Sequence, residues 1–229
     1  MNAASATYTA RREGLTEYFD RTANDAWAKL TSDAPVSRIR ATVRAGRDAM
    51  RATLLSWLPD DMSCARLLDA GCGTGALAVK SAQRGAHVVA IDVSPNLIRL
   101  ARERAPATMR GQIDWRVGDM ADPALGRFDH VVAMDSLIHY NRADICTAVV
   151  ALAARTRRTV LFTIAPATPP LLLLFAVGKL LPRSNRAPAI QPVGPGRLRR
   201  DLAAAGLTVG RDHRVSGGFY KSHAVEVCA

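Results

Sequence analysis

The chain has 229 residues and four cysteines, with 31 lysines and arginines against 20 aspartates and glutamates, a formal net charge of +11 and a pI near 10.4. That length suits one α/β domain with a full core plus an accessory segment and argues against two independent domains. Cys64, Cys72, Cys146 and Cys228 form neither a C-x-x-C pair nor a Cys/His zinc spacing, so they read as reduced thiols of an intracellular protein with no metal site of its own. The first residues, MNAASATYTARREGLTEYF, lack the apolar core of an export signal. The longest apolar run, 171–177, is far short of the roughly 20 residues that span a bilayer, so a cytoplasmic location is expected. The basic surplus fits RNA, an anionic leaflet or a carboxylate-bearing substrate, and composition does not choose among them.

Residues 8–57 read as two helical pieces separated by Thr31-Ser-Asp-Ala-Pro35. In the second piece Ile39, Val43, Met50, Leu54 and Trp57 fall on one face at helical spacing, which makes residues 1–60 an accessory helical arm. From Arg66 the pattern changes to short apolar runs alternating with helical stretches, the mark of a parallel sheet with crossover helices over 61–229. Strands are expected at 65–69, 87–92, 113–117, 128–134 and 159–164. The crossovers include a helix at 75–84 closed by Gly85, one started by Ser94 as N-cap with Pro95 at its first position, and one at 142–155. An insertion over 165–196 follows the fifth strand, with a leucine-rich helix near 171–181 and an irregular stretch from Pro182 to Gly196. The chain closes with a helix to about Ala205, a C-cap at Gly206, and runs at 207–215 and 219–227 joined at Ser216-Gly-Gly218 as an antiparallel hairpin.

The most informative segment is Leu67-Leu68-Asp69-Ala70-Gly71-Cys72-Gly73-Thr74-Gly75, which sets an acidic residue and three glycines where a buried strand turns into a helix. Without Cβ atoms at 71, 73 and 75 the chain can turn tightly and a ligand can lie against the backbone of Cys72 and Thr74. A dinucleotide fingerprint spaces its glycines G-x-G-x-x-G to seat a pyrophosphate, whereas here the spacing is G-x-G-x-G. The carboxylate of Asp69 would repel a pyrophosphate but attract the ammonium and sulfonium of S-adenosylmethionine. Asp92, with Val93 after it, ends the second strand 23 positions beyond Asp69, where an acidic side chain can accept both ribose hydroxyls. Asp119 is placed to accept from an adenine amino group, with Met120 packing on the ring. Carboxylates at three successive strand ends favour a positively charged methyl donor over a nicotinamide cofactor, which keeps an oxidoreductase as the weaker reading.

Strand four ends in Asp135-Ser-Leu-Ile-His139-Tyr140, at the crevice where open α/β sheets bind their ligands. Asp135 falls on the donor side and Tyr140 on the substrate side, and His139 is the leading catalytic candidate. The N/D-P-P-aromatic motif of enzymes that methylate amines of DNA and protein is missing at this point, as are aromatic stacking platforms interleaved with a basic stripe. A small or medium organic substrate therefore fits better than nucleic acid.

Over residues 65–165 these features resemble the class I S-adenosylmethionine-dependent methyltransferases, which implies their Rossmann-like sheet, mostly parallel with an antiparallel terminal hairpin. Three further stretches narrow the likeness: Glu17-Tyr-Phe-Asp-Arg-Thr22 with Trp27, Val36-Ser-Arg-Ile-Arg40 through Arg44-Ala-Gly-Arg47, and Gly178-Lys-Leu-Leu-Pro-Arg-Ser-Asn-Arg186-Ala-Pro188. Together with Met134-Asp-Ser-Leu-Ile-His139-Tyr140 they resemble the magnesium-protoporphyrin IX methyltransferase family of chlorophyll and bacteriochlorophyll synthesis. The resemblance implies methyl transfer from S-adenosylmethionine to one propionate of Mg-protoporphyrin IX, with magnesium present only as part of the substrate. It also implies that His139 orients the propionate, that Tyr18 closes the crevice from the arm, that the apolar wall around Leu174 faces the macrocycle and that Arg183 and Arg186 pair with propionates. The same leucines beside Lys179 and Arg183 suit peripheral contact with an anionic photosynthetic membrane. The basic surface leaves room for docking an upstream magnesium-chelatase subunit. The competing readings are another small-molecule O- or C-methyltransferase, in which His139 is a true general base, and a tetrapyrrole carrier without turnover.

Overall fold

The computed structural model describes residues 6–21, 38–167 and 189–228. Two helices, α1 (Ala6–Arg21) and α2 (Arg38–Ser56), precede β1 (Arg66–Ala70), α3 (Ala76–Gln83), β2 (His87–Asp92), α4 (Pro95–Arg104) and β3 (Gln112–Val117). Then come β4 (Phe128–Ala133), a 3-10 turn at Leu137–His139, α5 (Arg142–Ala153), β5 (Thr156–Ile164), α6 (Pro195–Ala204), β6 (Thr208–Gly217) and β7 (Tyr220–Cys228). The seven strands form one sheet in the order β3-β2-β1-β4-β5-β7-β6, with β1 to β5 parallel and β7 antiparallel to both neighbours. The order reverses between β1 and β4, and that switch point opens the crevice in which α/β sheets bind ligands.

Strand alternation divides the core between two faces. Leu67, Val88 and Ala90 look toward α2 and α3, where Met50, Leu54, Ala78 and Ala82 meet them. Leu68, Val89 and Ile91 look the other way, toward α5, α6 and the Tyr8 and Leu15 side of α1. Both faces of β1 and β2 are covered, which is why these strands read as nearly continuous apolar runs. The helix ends follow their residues: Ser94 Oγ accepts the Leu97 N–H at 3.2 Å with Pro95 in the first turn, Asn141 Oδ1 accepts the Asp144 N–H at 2.9 Å, and Gly85 and Gly206 take φ of +98° and +82°.

The structure corrects some expected boundaries. β4 stops at Ala133 because Asp135 adopts φ +55° and turns the chain out of the sheet. β5 starts three residues earlier than expected, at Thr156, where it pairs with Phe128. Ile39 belongs to no core face: it is 53 % exposed, whereas Met50 and Leu54, further along the same stripe, are fully buried. The hairpin explains the difference, since Gly46 packs on Tyr220 while the first turn of α2 runs past the hairpin tip. The leucine-rich helix expected near 171–181 lies outside the described residues. Beyond it, Val193 donates to Ala165 O at 2.9 Å and Gln191 to Ile138 O at 2.8 Å, which returns the chain to the ends of β4 and β5. Among the described residues no helix is long and apolar enough to cross a membrane.

Candidate active site

Leaving β1, the chain turns through Gly71, Gly73 and Gly75 with φ of +79°, +55° and +79°, a region that side chains rarely enter. At two of these positions a methyl group also has no room. A Cβ on Gly71 would lie 2.4 Å from Ser136 Cβ, across the switch point, and one on Gly75 would lie 2.4 Å from the Trp115 ring. The N–H groups of Gly71 and Cys72 both donate to Ile91 O, at 2.8 and 3.0 Å, and hold the turn against β2. Gly73 donates to Asp92 Oδ2 at 2.9 Å and Ser94 to Asp92 Oδ1 at 3.0 Å. These bonds fix the plane of the Asp92 carboxylate and leave each oxygen a second lone pair for a ligand hydroxyl.

Asp69 is 2 % exposed, and its Oδ2 finds no hydrogen-bond partner among the described residues. Burial pushes its carboxyl up to about 7; the Ala78 N–H and the charge of Arg51 oppose the rise, and Asp92 adds to it. Burial also raises the Asp92 carboxyl, against the N–H groups of Ser94 and Gly73. A buried carboxylate with an idle oxygen, next to a second carboxylate and above a turn that excludes Cβ atoms, is built for a cationic ligand. The residues present fit S-adenosylmethionine, whose ammonium would meet Asp69 and whose ribose would meet Asp92. Val93 and Met120 supply apolar surface at this end, with Met120 Cε 3.7 Å from where a Gly71 Cβ would sit. Cys72 packs toward the opposite core face and Thr74 is half-buried in the turn.

Two expected donor residues carry partners that the sequence did not disclose. Asp119 Oδ1 accepts the Tyr8 hydroxyl at 2.7 Å and the Ala121 N–H at 2.9 Å, while Arg12 donates to Oδ2 at 2.7 Å. The expected adenine end is thus tied to α1. Asp135 pairs with Arg47 at 2.8 Å and accepts the Tyr220 hydroxyl at 3.0 Å and that of Thr163 at 3.2 Å, so it joins α2 and β7 to the end of β4. Asp20 adds a further carboxylate, accepting the Ser94 hydroxyl at 2.5 Å.

A cleft of about 480 Å³ runs between α1 and the start of α5. Residues 7, 10, 11, 14, 15 and 18 line it, one face of α1 at helical spacing, opposite Tyr140, Asp144 and Gln191. Tyr18, expected to close the crevice from the arm, and Tyr140, expected on the substrate side, both line this cleft, and burial raises the hydroxyl pKa of both. His139 is 9 % exposed and stands edge-on to Phe19, ring centroids 6.4 Å apart, while Phe19 meets Tyr18 at 5.3 Å. Phe19 therefore bridges the two expected catalytic side chains. Leu174, Arg183 and Arg186 lie outside the described residues.

The family profile described as Magnesium-protoporphyrin IX methyltransferase C-terminus matches residues 133–229, and a general methyltransferase domain profile matches residues 67–159. Magnesium-protoporphyrin O-methyltransferase of Rhodobacter capsulatus is 50 % identical over 96 % of this chain and 97 % of its own length. The chain belongs to the magnesium-protoporphyrin methyltransferase family. Magnesium protoporphyrin IX methyltransferase of Arabidopsis thaliana chloroplasts is 29 % identical over 94 % of this chain and 70 % of its own. The crystal structure of magnesium protoporphyrin IX methyltransferase from Synechocystis PCC 6803 with bound SAH superposes with a TM-score of 0.84 at 27 % identity, covering 94 % of this chain and 98 % of that one.

In this member of the family, sequence reasoning missed Tyr8 and Arg12 on Asp119, Arg47 and Tyr220 on Asp135, and Arg11, Asp144 and Gln191 in the cleft. One signal was available: Arg11 and Arg12 are adjacent on a helix and so must point to different surroundings.

Proposed function

We infer that this chain is an S-adenosylmethionine-dependent O-methyltransferase that esterifies one propionate of Mg-protoporphyrin IX in (bacterio)chlorophyll synthesis. The observation that carries the reading is 50 % identity over nearly all of both chains to the Rhodobacter capsulatus enzyme of that name. The idle oxygen of buried Asp69 supports the donor half independently. Bound at the glycine turn, S-adenosylmethionine supplies an electrophilic methyl group on a sulfonium.

The chain's own residues have little proton chemistry to do. A propionate with the ordinary carboxyl pKa near 4.3 is ionised at neutral pH, so its oxygen attacks without a base. Most of the rate then comes from alignment at near-attack distance and from exclusion of water. In this reading Asp69 and Asp92 fix the donor, with Asp119 and Asp135 steadying its two ends. His139 orients the attacking carboxylate, and Tyr18 closes the crevice from the helical arm of residues 1–60. The insertion over 165–196 supplies the macrocycle wall at Leu174 and cations at Arg183 and Arg186. The net charge of +11 supports peripheral contact with an anionic membrane and docking of a magnesium-chelatase subunit.

The test is transfer of labelled methyl to Mg-protoporphyrin compared with metal-free protoporphyrin. Preferential labelling of the magnesium compound as a base-labile ester supports the reading. Tight binding of both ligands with no labelled ester would favour a carrier. With the donor kept saturating, so that protonation of Asp69 does not limit turnover, a steep loss of turnover just below neutral pH would favour a phenol or carbon-acid substrate with His139 as base.

A further inference from the structure

We propose that Arg11 binds the propionate that is not methylated and thereby fixes which end of the porphyrin meets the donor. This rests on the acceptor proposed above. Arg11 is the one cation among the described residues lining the cleft between α1 and α5, and it forms no ion pair or hydrogen bond with any described residue. Its neighbour Arg12 is committed to Asp119 at 2.7 Å, on the donor side. The acid in the cleft, Asp144, takes the Thr7 hydroxyl at 2.9 Å and the Asn141 amide at 2.7 Å rather than Arg11. Arg11 and Arg12 thus face different ligands, and among the described residues Arg12 has an anion and Arg11 has none.

The substrate carries two carboxylates with opposite needs. The attacking one must keep a lone pair free for the methyl carbon, and a guanidinium clamped on it in bidentate fashion would draw off that electron density. The other stays anionic throughout and is costly to bury unpaired. A planar arginine fork in a half-buried cleft suits this second carboxylate. The same pairing accounts for stopping at a monoester: a product turned end for end would set a neutral ester against Arg11, and binding in that orientation loses the charge-assisted bonds.

The experiment compares Mg-protoporphyrin with its dimethyl ester as ligands of the full chain and of its Arg11→Ala and Arg11→Lys variants, with S-adenosylhomocysteine affinity as a check that each variant is folded. Arg11→Ala is expected to weaken diacid binding and raise its KM about tenfold, with a smaller change in kcat. The dimethyl ester is expected to bind the wild type and Arg11→Ala equally, and Arg11→Lys to recover part of the diacid affinity. Equal weakening of both ligands, or of neither, with the donor still bound would overturn the role of Arg11. Failure of the wild type to bind Mg-protoporphyrin would instead overturn the functional reading, and this inference with it.

Discussion

Tyr8 lies flat on Tyr140, ring centroids 4.8 Å apart and planes 22° apart, with its hydroxyl 2.7 Å from Asp119 Oδ1. One side chain of α1 thus touches both Tyr140, proposed for the substrate, and Asp119, proposed for the donor. Burial holds its hydroxyl pKa well above the ordinary value, so it remains a proton donor to Asp119. Tyr8→Phe removes one of three donors to Asp119 and is expected to cost about 1 kcal/mol, whereas Tyr8→Ala also loses the stacked ring and costs about 3 kcal/mol. Trypsin cleavage after Arg11 and Arg12 reads this out: its rate should rise modestly for Phe and sharply for Ala, and equal rates would show that Tyr8 does not anchor α1.

The glycine turn tolerates little. Gly71→Ala combines a positive φ with contact at 2.4 Å to Ser136, so loss of S-adenosylhomocysteine binding by calorimetry is expected. Gly196→Ala serves as control, because a Cβ there meets nothing within 4 Å and Gly196 lies inside α6. That change should leave donor affinity intact and raise stability by about 0.5 kcal/mol.

Asp69 predicts opposite pH trends for stability and for donor binding. Its carboxyl rises from 3.8 to about 7 on folding, so between these values the folded state holds a proton that the unfolded state has released. Its contribution to stability is therefore fully present below pH 4 and is lost as pH rises through 7. Asp69→Asn should be about 2 kcal/mol more stable than the wild type at pH 8, with the gap closing by pH 4, as measured by urea unfolding. Donor binding needs the ionised form, so S-adenosylhomocysteine affinity of the wild type should fall below pH 7 while that of Asp69→Asn stays low and flat. Parallel profiles would remove Asp69 as the ammonium partner.

The strands and caps were legible because their signals are local. Alternation, glycine stops and the Ser94-Pro95 pair fixed β1, β2, β3 and α4 to within a residue or so. The glycine turn with Asp69 and Asp92 was legible for the same reason, since its chemistry sits within one β-α-β unit. What stayed hidden joins distant segments: Tyr8 to Asp119 spans 111 positions and Arg47 to Asp135 spans 88. No periodicity carries such pairings, which depend on how α1 and α2 pack against opposite faces of the sheet. Ile39 was misplaced for a related reason, because a helical stripe says which residues share a face but not where along the helix the covering hairpin ends.

The Arg47–Asp135 pair illustrates the energetic side of that hidden layer. The Asp135 side chain is only 6 % exposed, so Arg47→Ala leaves a buried carboxylate with hydroxyl partners alone and is expected to cost about 3 kcal/mol. The double change Arg47→Met with Asp135→Asn should recover at least half of that in thermal unfolding. No recovery would mean that Arg47 acts through packing and not through its charge.

In the proposed function the turn after β1 holds a cationic donor between Asp69 and Asp92. A crystal of this chain soaked with S-adenosylhomocysteine tests it most directly. The predicted result is ligand lying against Gly71, Gly73 and Gly75, with its ammonium on Asp69 Oδ2 and its ribose hydroxyls on Asp92. Ligand bound elsewhere, or an empty turn at saturating ligand, would contradict it.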